Sequence, residues 1–370
     1  MDVLIIGAGV IGLSLAYELS QHDLQVQVID RGELGREASW AGAGILPPAN
    51  GATAIHPYDQ LRALSFDLHE VWARRLLEQT GIDNGYRRCG ALYLARTVGE
   101  AAALRGMWKV CRDEHVAMER VDDARIRTLE PALAAAVDTG RFKAAYEVPE
   151  ECQLRNPHYL QALVKACRQQ TVELVPHAEA TEFVIRAGRL EGVATTAGLL
   201  RAKQYCLTSG SWTQQLLARL GIANGILPIR GQMLLYKCEQ PPLTRVINEG
   251  NRYIVPREDG HVLVGATEEE VGFDNHTTPV ALADLQAFAA ALVPALAEAP
   301  LVQSWAGLRP ATFDGFPYLG RLPGLENTFV AAGHFRSGLY LSPGTAVVMS
   351  ELLRGKPPRI ALDAFRVGRG

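Results

Sequence analysis

The residues best placed to do chemistry together stand at the start of the chain. Gly7-Ala8-Gly9-Val10-Ile11-Gly12 follows the apolar run Val3-Leu4-Ile5-Ile6, and Asp30 closes the next one, Gln25–Ile29. That spacing suits a dinucleotide: Gly7 permits a tight turn, Gly9 lets backbone approach a pyrophosphate, and Gly12 lets the following helix pack closely. The helix start, at Val10 and Ile11, offers N–H groups and partial positive charge to phosphates. Asp30 is set to accept from a ribose 2′-hydroxyl, and its charge disfavours a 2′-phosphate and therefore NADP. The motif leaves NAD and FAD both open, because each puts an ADP half in this crevice. A second stretch, Glu37-Ala38-Ser39-Trp40-Ala41-Gly42-Ala43-Gly44-Ile45-Leu46, is small enough for backbone to run along an extended ligand, and has equally the composition of a flexible loop.

Other chemistries lack their residues. No two of the nine histidines stand at i, i+4, and the six cysteines (Cys89, Cys111, Cys152, Cys167, Cys206, Cys238) form no C-x-x-C pair, so no metal site is expected and the thiols read as free. A G-x-S-x-G elbow and a phosphate-loop lysine motif are both missing, which removes the hydrolase and NTPase readings.

The elements that must position these residues follow from periodicity. Val3–Ile6, the glycine turn, a helix to about Ser20 and Gln25–Ile29 make one βαβ unit. Leu61, Leu64, Leu68, Val71, Trp72 and Leu76 recur at helical spacing, predicting a long helix over Asp59–Gln79; a second is predicted over Pro157–Gln170, followed by a strand over Thr171–Val175. Between Arg230 and Thr267 the texture turns to strands, Gln232–Tyr236, Tyr253–Val255 and Val262–Val264, the last two joined by the hairpin signal Asp259-Gly260. The chain then returns to α/β, with Thr328–Ala332 a strand, Gly333–Gly338 a turn and Pro343–Leu353 a helix.

At 370 residues the chain has room for two or three domains. Its 37 Lys and Arg against 40 Asp and Glu leave a charge of −3, giving no footprint for nucleic acid or an anionic membrane surface. The apolar stretch Ala281–Val302 is broken by Asp284, Gln286, Pro294, Glu298 and Pro300, so a surface helix is expected there and no spanning one. Met1-Asp2 running straight into a strand lacks the basic region of a signal peptide, and with free thiols predicts a cytoplasmic protein.

In order along the chain, the opening fingerprint, Ser39–Leu46, Tyr253-Ile254-Val255-Pro256-Arg257 with Val264-Gly265-Ala266-Thr267, Trp305-Ala306-Gly307-Leu308-Arg309-Pro310, and Gly333-His334-Phe335-Arg336-Ser337-Gly338-Leu339 resemble the D-amino acid oxidase type FAD-dependent oxidoreductases, most closely the glycine oxidase branch tied to thiamine biosynthesis. The resemblance spans nearly the whole chain. It implies an α/β fold: a discontinuous Rossmann-type FAD-binding domain (1–80, 146–215 and 301–370) and an antiparallel-sheet α+β substrate domain (81–145 and 216–300).

It also implies a noncovalent FAD and oxidation of glycine, sarcosine or a small D-amino acid to an imine, then an α-keto acid and ammonia, with O2 reduced to H2O2. A homo-oligomer is implied as well. By motif position, Gly7, Gly9, Val10, Ile11 and Gly12 fall at the pyrophosphate turn, Asp30 and Arg31 at the ribose, Ala38, Ser39, Ala43, Gly44 and Ile45 along FAD, and Ala180 at the adenine side. His334, Phe335, Arg336, Ser337, Gly338, Leu339 and Tyr340 fall at the isoalloxazine end. Arg309 corresponds to the clamp on the substrate carboxylate, a task that suits a flat, two-pronged guanidinium. Tyr253 would add a phenolic hydrogen bond to that carboxylate, and Arg336 lies beside flavin and substrate. Residues alone would read Arg309 as a surface pair and Tyr253 as core.

The implied chemistry is hydride transfer from Cα after the substrate ammonium loses a proton, and no dedicated base stands out. Glu268, opening the run Glu268-Glu269-Glu270, occupies a position near the pocket that is apolar in the family pattern; it reads either as a solvated loop or as a preference for amines with extra positive charge. Two other functions fit the fold: a flavin dehydrogenase passing electrons to a quinone, and a non-catalytic nucleotide-binding protein.

Overall fold

Four apolar residues in a row, Val3–Ile6, are buried along their whole length, as a central parallel strand requires. In the computed structural model, which describes residues 1–369, this strand lies between Val26–Ile29 and Gln204–Leu207 and is parallel to both. Glu173–Val175 extends the sheet on one side, and Thr328–Ala332 on the other, where antiparallel Tyr318–Arg321 closes the edge. The helices Val10–Leu19, Pro57–Thr80 and Gly338–Leu353 pack against one another, with Tyr17 edge-on to Trp72 at 5.1 Å. Such an aromatic pair adds about 0.5–1.5 kcal/mol to the area it buries.

A second sheet has eight strands in the order Leu301–Ala311, Leu227–Lys237, His261–Gly265, Arg252–Pro256, Val246–Glu249, Ala91–Ala95, Ala144–Val148 and Glu119–Arg120. Every pairing is antiparallel except Val246–Glu249 with Ala91–Ala95. Because partners in register share a face, one row crosses six strands: Trp305, Met233, Gly265, Tyr253, Asn248 and Tyr93. The opposite face, including Leu234, Val264, Ile254, Ile247 and Leu92, is buried beneath Pro279–Leu292 with its Leu285, Phe288 and Leu292. That helix is the surface helix predicted within Ala281–Val302.

The predicted long helices correspond to Pro57–Thr80 and Asn156–Gln169, the second ending one residue before the expected Gln170, and the Arg257–Gly260 hairpin joins the expected strands. Four features differ from expectation. The last helix begins at Gly338, not Pro343, because the Ser342 hydroxyl donates to the Leu339 carbonyl (2.8 Å), a bond that Pro343 cannot make. Leu301–Ala311 and Ala144–Val148 join the eight-stranded sheet, so that sheet reaches past the expected boundaries at 146 and 301. Gln204–Leu207 is a central strand that the sequence reading left out. Ala38–Ala41, inside the small-residue stretch, is a single helical turn.

Candidate active site

A cleft of about 490 Å3 runs between the two sheets, a volume typical of small-molecule sites. At one end lies the glycine turn. A Cβ on Gly12 would overlap the Gly7 carbonyl and crowd Thr208 Oγ1 at 2.7 Å, so this helix reaches the sheet only without a side chain there. Gly7, Gly9, Val10 and Ile11 line the cleft, whereas Gly12 lies behind it. The Val10 amide donates to Ser39 Oγ (2.9 Å), tying the helix start to the small-residue stretch.

The Asp30 carboxylate accepts from the Ala8 amide (2.7 Å) and the Gly32 amide (2.9 Å), so it braces the turn, and each oxygen retains further acceptor capacity at the edge of the cleft. Burial raises its pKa and the two amides oppose that rise. Arg31 lies over the Trp212 ring, 3.6 Å from its centroid, and pairs with Glu37 at 3.0 Å. Ala180 is buried at the same end, its carbonyl held by Arg219 (2.9 Å).

Ala38, Ser39, Ala43, Gly44 and Ile45 run along the middle. Gly44 has φ +74°, and a Cβ on it would overlap the Leu154 carbonyl and sit 2.6 Å from Asn156 Oδ1. At the far end the turn 333–340 lines the cleft with every residue from Gly333 to Tyr340. Phe335 adopts φ +47°, a conformation that only over-determined surroundings hold in a non-glycine residue. His334 is buried against Thr345 Oγ1 (3.1 Å), and burial drops its pKa to about 3, so it is a neutral strut of the turn and a poor base.

Arg309 faces the same end. Its Nη1 donates to the Thr267 carbonyl (3.0 Å), and its guanidinium lies over Gly231, where any Cβ would overlap it. Gly231 and Gly307 are cross-strand partners; Arg309, two residues on from Gly307, folds back into space that Gly231 keeps open, while Gly307 makes room for Ala41. Tyr253 lines the cleft with its hydroxyl on Met233 Sδ (3.4 Å), and Arg336 stands at the mouth 3.7 Å from Glu268. The sequence therefore assembled a single group: all three proposed substrate contacts border one cavity. Glu268 itself is not among the lining residues, and its charge faces Arg336 rather than open solvent alone.

Gly231→Ala is expected to raise the substrate KM about tenfold with little loss of Tm, because the methyl displaces a guanidinium and strains no backbone; steady-state kinetics beside a thermal melt check this.

Sequence reasoning missed the lining residues Thr208–Trp212, which follow the overlooked strand Gln204–Leu207. Thr208 Oγ1 donates to the Gly7 carbonyl (2.7 Å) and Ser209 Oγ to the Ile6 carbonyl (2.6 Å), pinning the turn from the neighbouring strand. The available signal was Tyr205-Cys206-Leu207 ending in Thr-Ser-Gly. Tyr93, Asn248 and Asn156 were also missed, since each lies alone in its segment.

The residues fit FAD. The cleft is elongated, backbone lines it where glycines remove Cβ atoms, and the starts of Val10–Leu19 and Gly338–Leu353 both reach it without side-chain caps. Asn156 Oδ1 is buried there with no hydrogen-bond partner.

The family described as FAD dependent oxidoreductase matches residues 2–352. A glycine oxidase of Pseudomonas aeruginosa is 36% identical over 97% of this chain and 96% of its own. The crystal structure of glycine oxidase from Geobacillus kaustophilus superposes with a TM-score of 0.93 at 32% identity, covering 100% of this chain and 98% of that one. A Synechocystis bifunctional protein ThiO/ThiG is 33% identical over 98% of this chain, which spans 53% of that protein.

Proposed function

Because the chain belongs to the FAD dependent oxidoreductase family of D-amino acid oxidase type, we propose that it oxidises glycine or a closely similar small amine to the imine, which water converts to the α-keto acid and ammonia. FAD is the cofactor; the chemistry it supplies when bound is acceptance of a hydride from the substrate Cα and return of two electrons to O2, which leaves as H2O2. The observation that carries the reading is Arg309, held by Thr267 over Gly231 at the end of the cleft away from the glycine turn.

Arg309 binds the substrate carboxylate through two parallel N–H donors, and Tyr253 adds its hydroxyl. Fixing the carboxylate at two points aims the Cα hydrogen, which turns binding energy into orientation. The FAD-binding domain is the six-stranded sheet with its helices, and the substrate domain is the eight-stranded sheet. Glycine imine as a thiamine thiazole precursor is supported by the bifunctional ThiO/ThiG relative. Among the described residues no helix is long and apolar enough to cross a membrane; a cytoplasmic homo-oligomer is our reading for location and assembly, and light scattering after gel filtration tests the latter.

The test is a visible spectrum of the purified protein, followed by anaerobic addition of glycine, sarcosine and D-alanine and readmission of O2. Flavin bleaching by one of them with peroxide on reoxidation is expected. Bleaching reoxidised by quinone but not O2 would favour a dehydrogenase, and flavin that none of them bleaches would remove the substrate class.

Glu268 tunes the mouth. Glu268→Met leaves Arg336 unopposed, so the KM for glycine is expected to fall up to about fivefold, the reach of a partly exposed ion pair, and the effect should shrink in high salt. An unchanged KM at low salt would leave Glu268 a solvated loop residue.

A further inference from the structure

Behind the row Tyr253, Asn248, Tyr93 lies a carboxyl group that the chemistry above does not use. Glu151 is fully buried, and its Oε2 accepts a hydrogen bond from the Tyr93 hydroxyl at 2.7 Å. Its Oε1 and the neighbouring Asn248 Nδ2 are both buried without a bonded partner, and Glu151 forms no ion pair among the described residues. The charged and titratable groups around it are few. Tyr93 and Asn248 face it from their strands, and the Cys89 and Cys111 thiols lie near. Arg62, on Pro57–Thr80, bears on Tyr93 and is already shared by Asp59 and Glu114.

Tyr93, Asn248, Arg62 and Tyr253 all line the cleft, while Glu151 does not; of its two neighbours there, Tyr93 and Asn248, the Tyr93 hydroxyl is the one that can relay a proton. A buried carboxylate without a cation is costly, and native structures keep such groups mainly where they work. An amino acid entering the cleft brings an ammonium, which must lose one proton before the Cα hydride can leave.

We propose that Glu151 is the proton acceptor for the substrate ammonium, acting through the Tyr93 hydroxyl. The ammonium N–H bond breaks and its proton passes to Tyr93 Oη, while the Tyr93 proton passes to Glu151 Oε2. The hydride then leaves Cα with its electron pair for the flavin, and the substrate departs as the iminium, so charge and atoms balance. Glu151 returns its proton to solvent between turnovers. The inference rests on the amine-oxidising reading above and adds a positioning residue to it.

Burial lifts the Glu151 carboxyl to about 7, which sets where the acceptor becomes available. The rate of anaerobic flavin bleaching at saturating glycine, sarcosine or D-alanine is therefore expected to rise through an acidic limb near that pH in the wild-type holoenzyme. In Glu151→Gln the limb disappears and the rate at pH 8 falls at least tenfold, with KM and the flavin spectrum unchanged; Tyr93→Phe reproduces both effects. Because the folded state holds this proton above the ordinary carboxyl range, wild-type stability falls as pH rises toward 7, and Glu151→Gln loses that component. A merely structural carboxyl would show the same pH-dependent stability but leave the limb in place and the rate at pH 8 unchanged. A limb retained in both variants, or rates within twofold of wild type, overturns the proposal while the amine-oxidising reading stands. Should Glu151→Gln fail to fold, Tyr93→Phe and Glu151→Asp decide on the same limb. A wild-type flavin that no amine bleaches overturns both readings together.

Discussion

Arg309→Ala is expected to raise the KM for glycine by two to three orders of magnitude while the purified protein stays yellow. The guanidinium combines a planar donor pair with glycine-cleared space beneath it and a carbonyl, Thr267, fixing its orientation. A charge-assisted, two-pronged bond to a carboxylate is worth about 3–4 kcal/mol when one partner is removed, or roughly 200- to 1000-fold. Arg309→Lys should recover little of this, because a single ammonium cannot present two parallel donors. The flavin spectrum is the control, since the cofactor's glycine turn lies at the other end of the cleft. A KM within threefold of wild type would remove Arg309 from substrate binding.

The second large effect is on the cofactor. Gly44→Ala should yield protein that purifies largely colourless and melts several degrees lower. The position carries two independent objections to a side chain: a φ of +74°, and a Cβ that would overlap the Leu154 carbonyl and crowd Asn156 Oδ1. Left-handed strain costs about 1–2 kcal/mol and overpacking about 1–3 kcal/mol. Leu154 and Asn156 are buried and hydrogen-bonded, to the Gly44 carbonyl and the Ser39 carbonyl respectively, so relief comes from pushing the small-residue stretch into the channel. About 3 kcal/mol expressed as binding weakens FAD roughly 100-fold, which fluorescence titration of the apoprotein with FAD measures. Retention of stoichiometric flavin would show that this stretch does not bound the cofactor.

The site was legible where chemistry needs contiguous residues. A pyrophosphate turn is written in six neighbours, Gly7 to Gly12; Gly333–Gly338 could be read only as a turn, and family resemblance gave that segment its place at the flavin end. Arg309 and Tyr253 were a different case. As single residues in strands they looked like packing, and family resemblance, not spacing, singled them out. What stayed hidden depended on register: Tyr93 joins Asn248 and Tyr253 through a pairing between strands more than 150 residues apart in sequence. Nothing local to Tyr93 announces a partner at Asn248. Glu151 was hidden for the same reason, since burial of a carboxyl is a property of what covers it. Ala144–Val148 and Leu301–Ala311, at the expected boundaries 146 and 301, read as ordinary strands, and only their partners show which sheet they join.

The order of strands in the six-stranded sheet also constrains how the enzyme is made. Val3–Ile6 emerges from the ribosome first, yet one of its two neighbours is Gln204–Leu207, and that strand in turn pairs with Thr328–Ala332. The hydroxyls that pin the glycine turn belong to Thr208 and Ser209, and the opposite end of the cleft is built from residues up to Tyr340. During synthesis the nucleotide turn therefore stays half paired until more than 200 further residues have been made, and the far end of the cleft forms only once Tyr340 is in place. Flavin capture therefore waits for the far turn, and the nascent protein must keep Val3–Ile6 from other partners until Gln204–Leu207 is available.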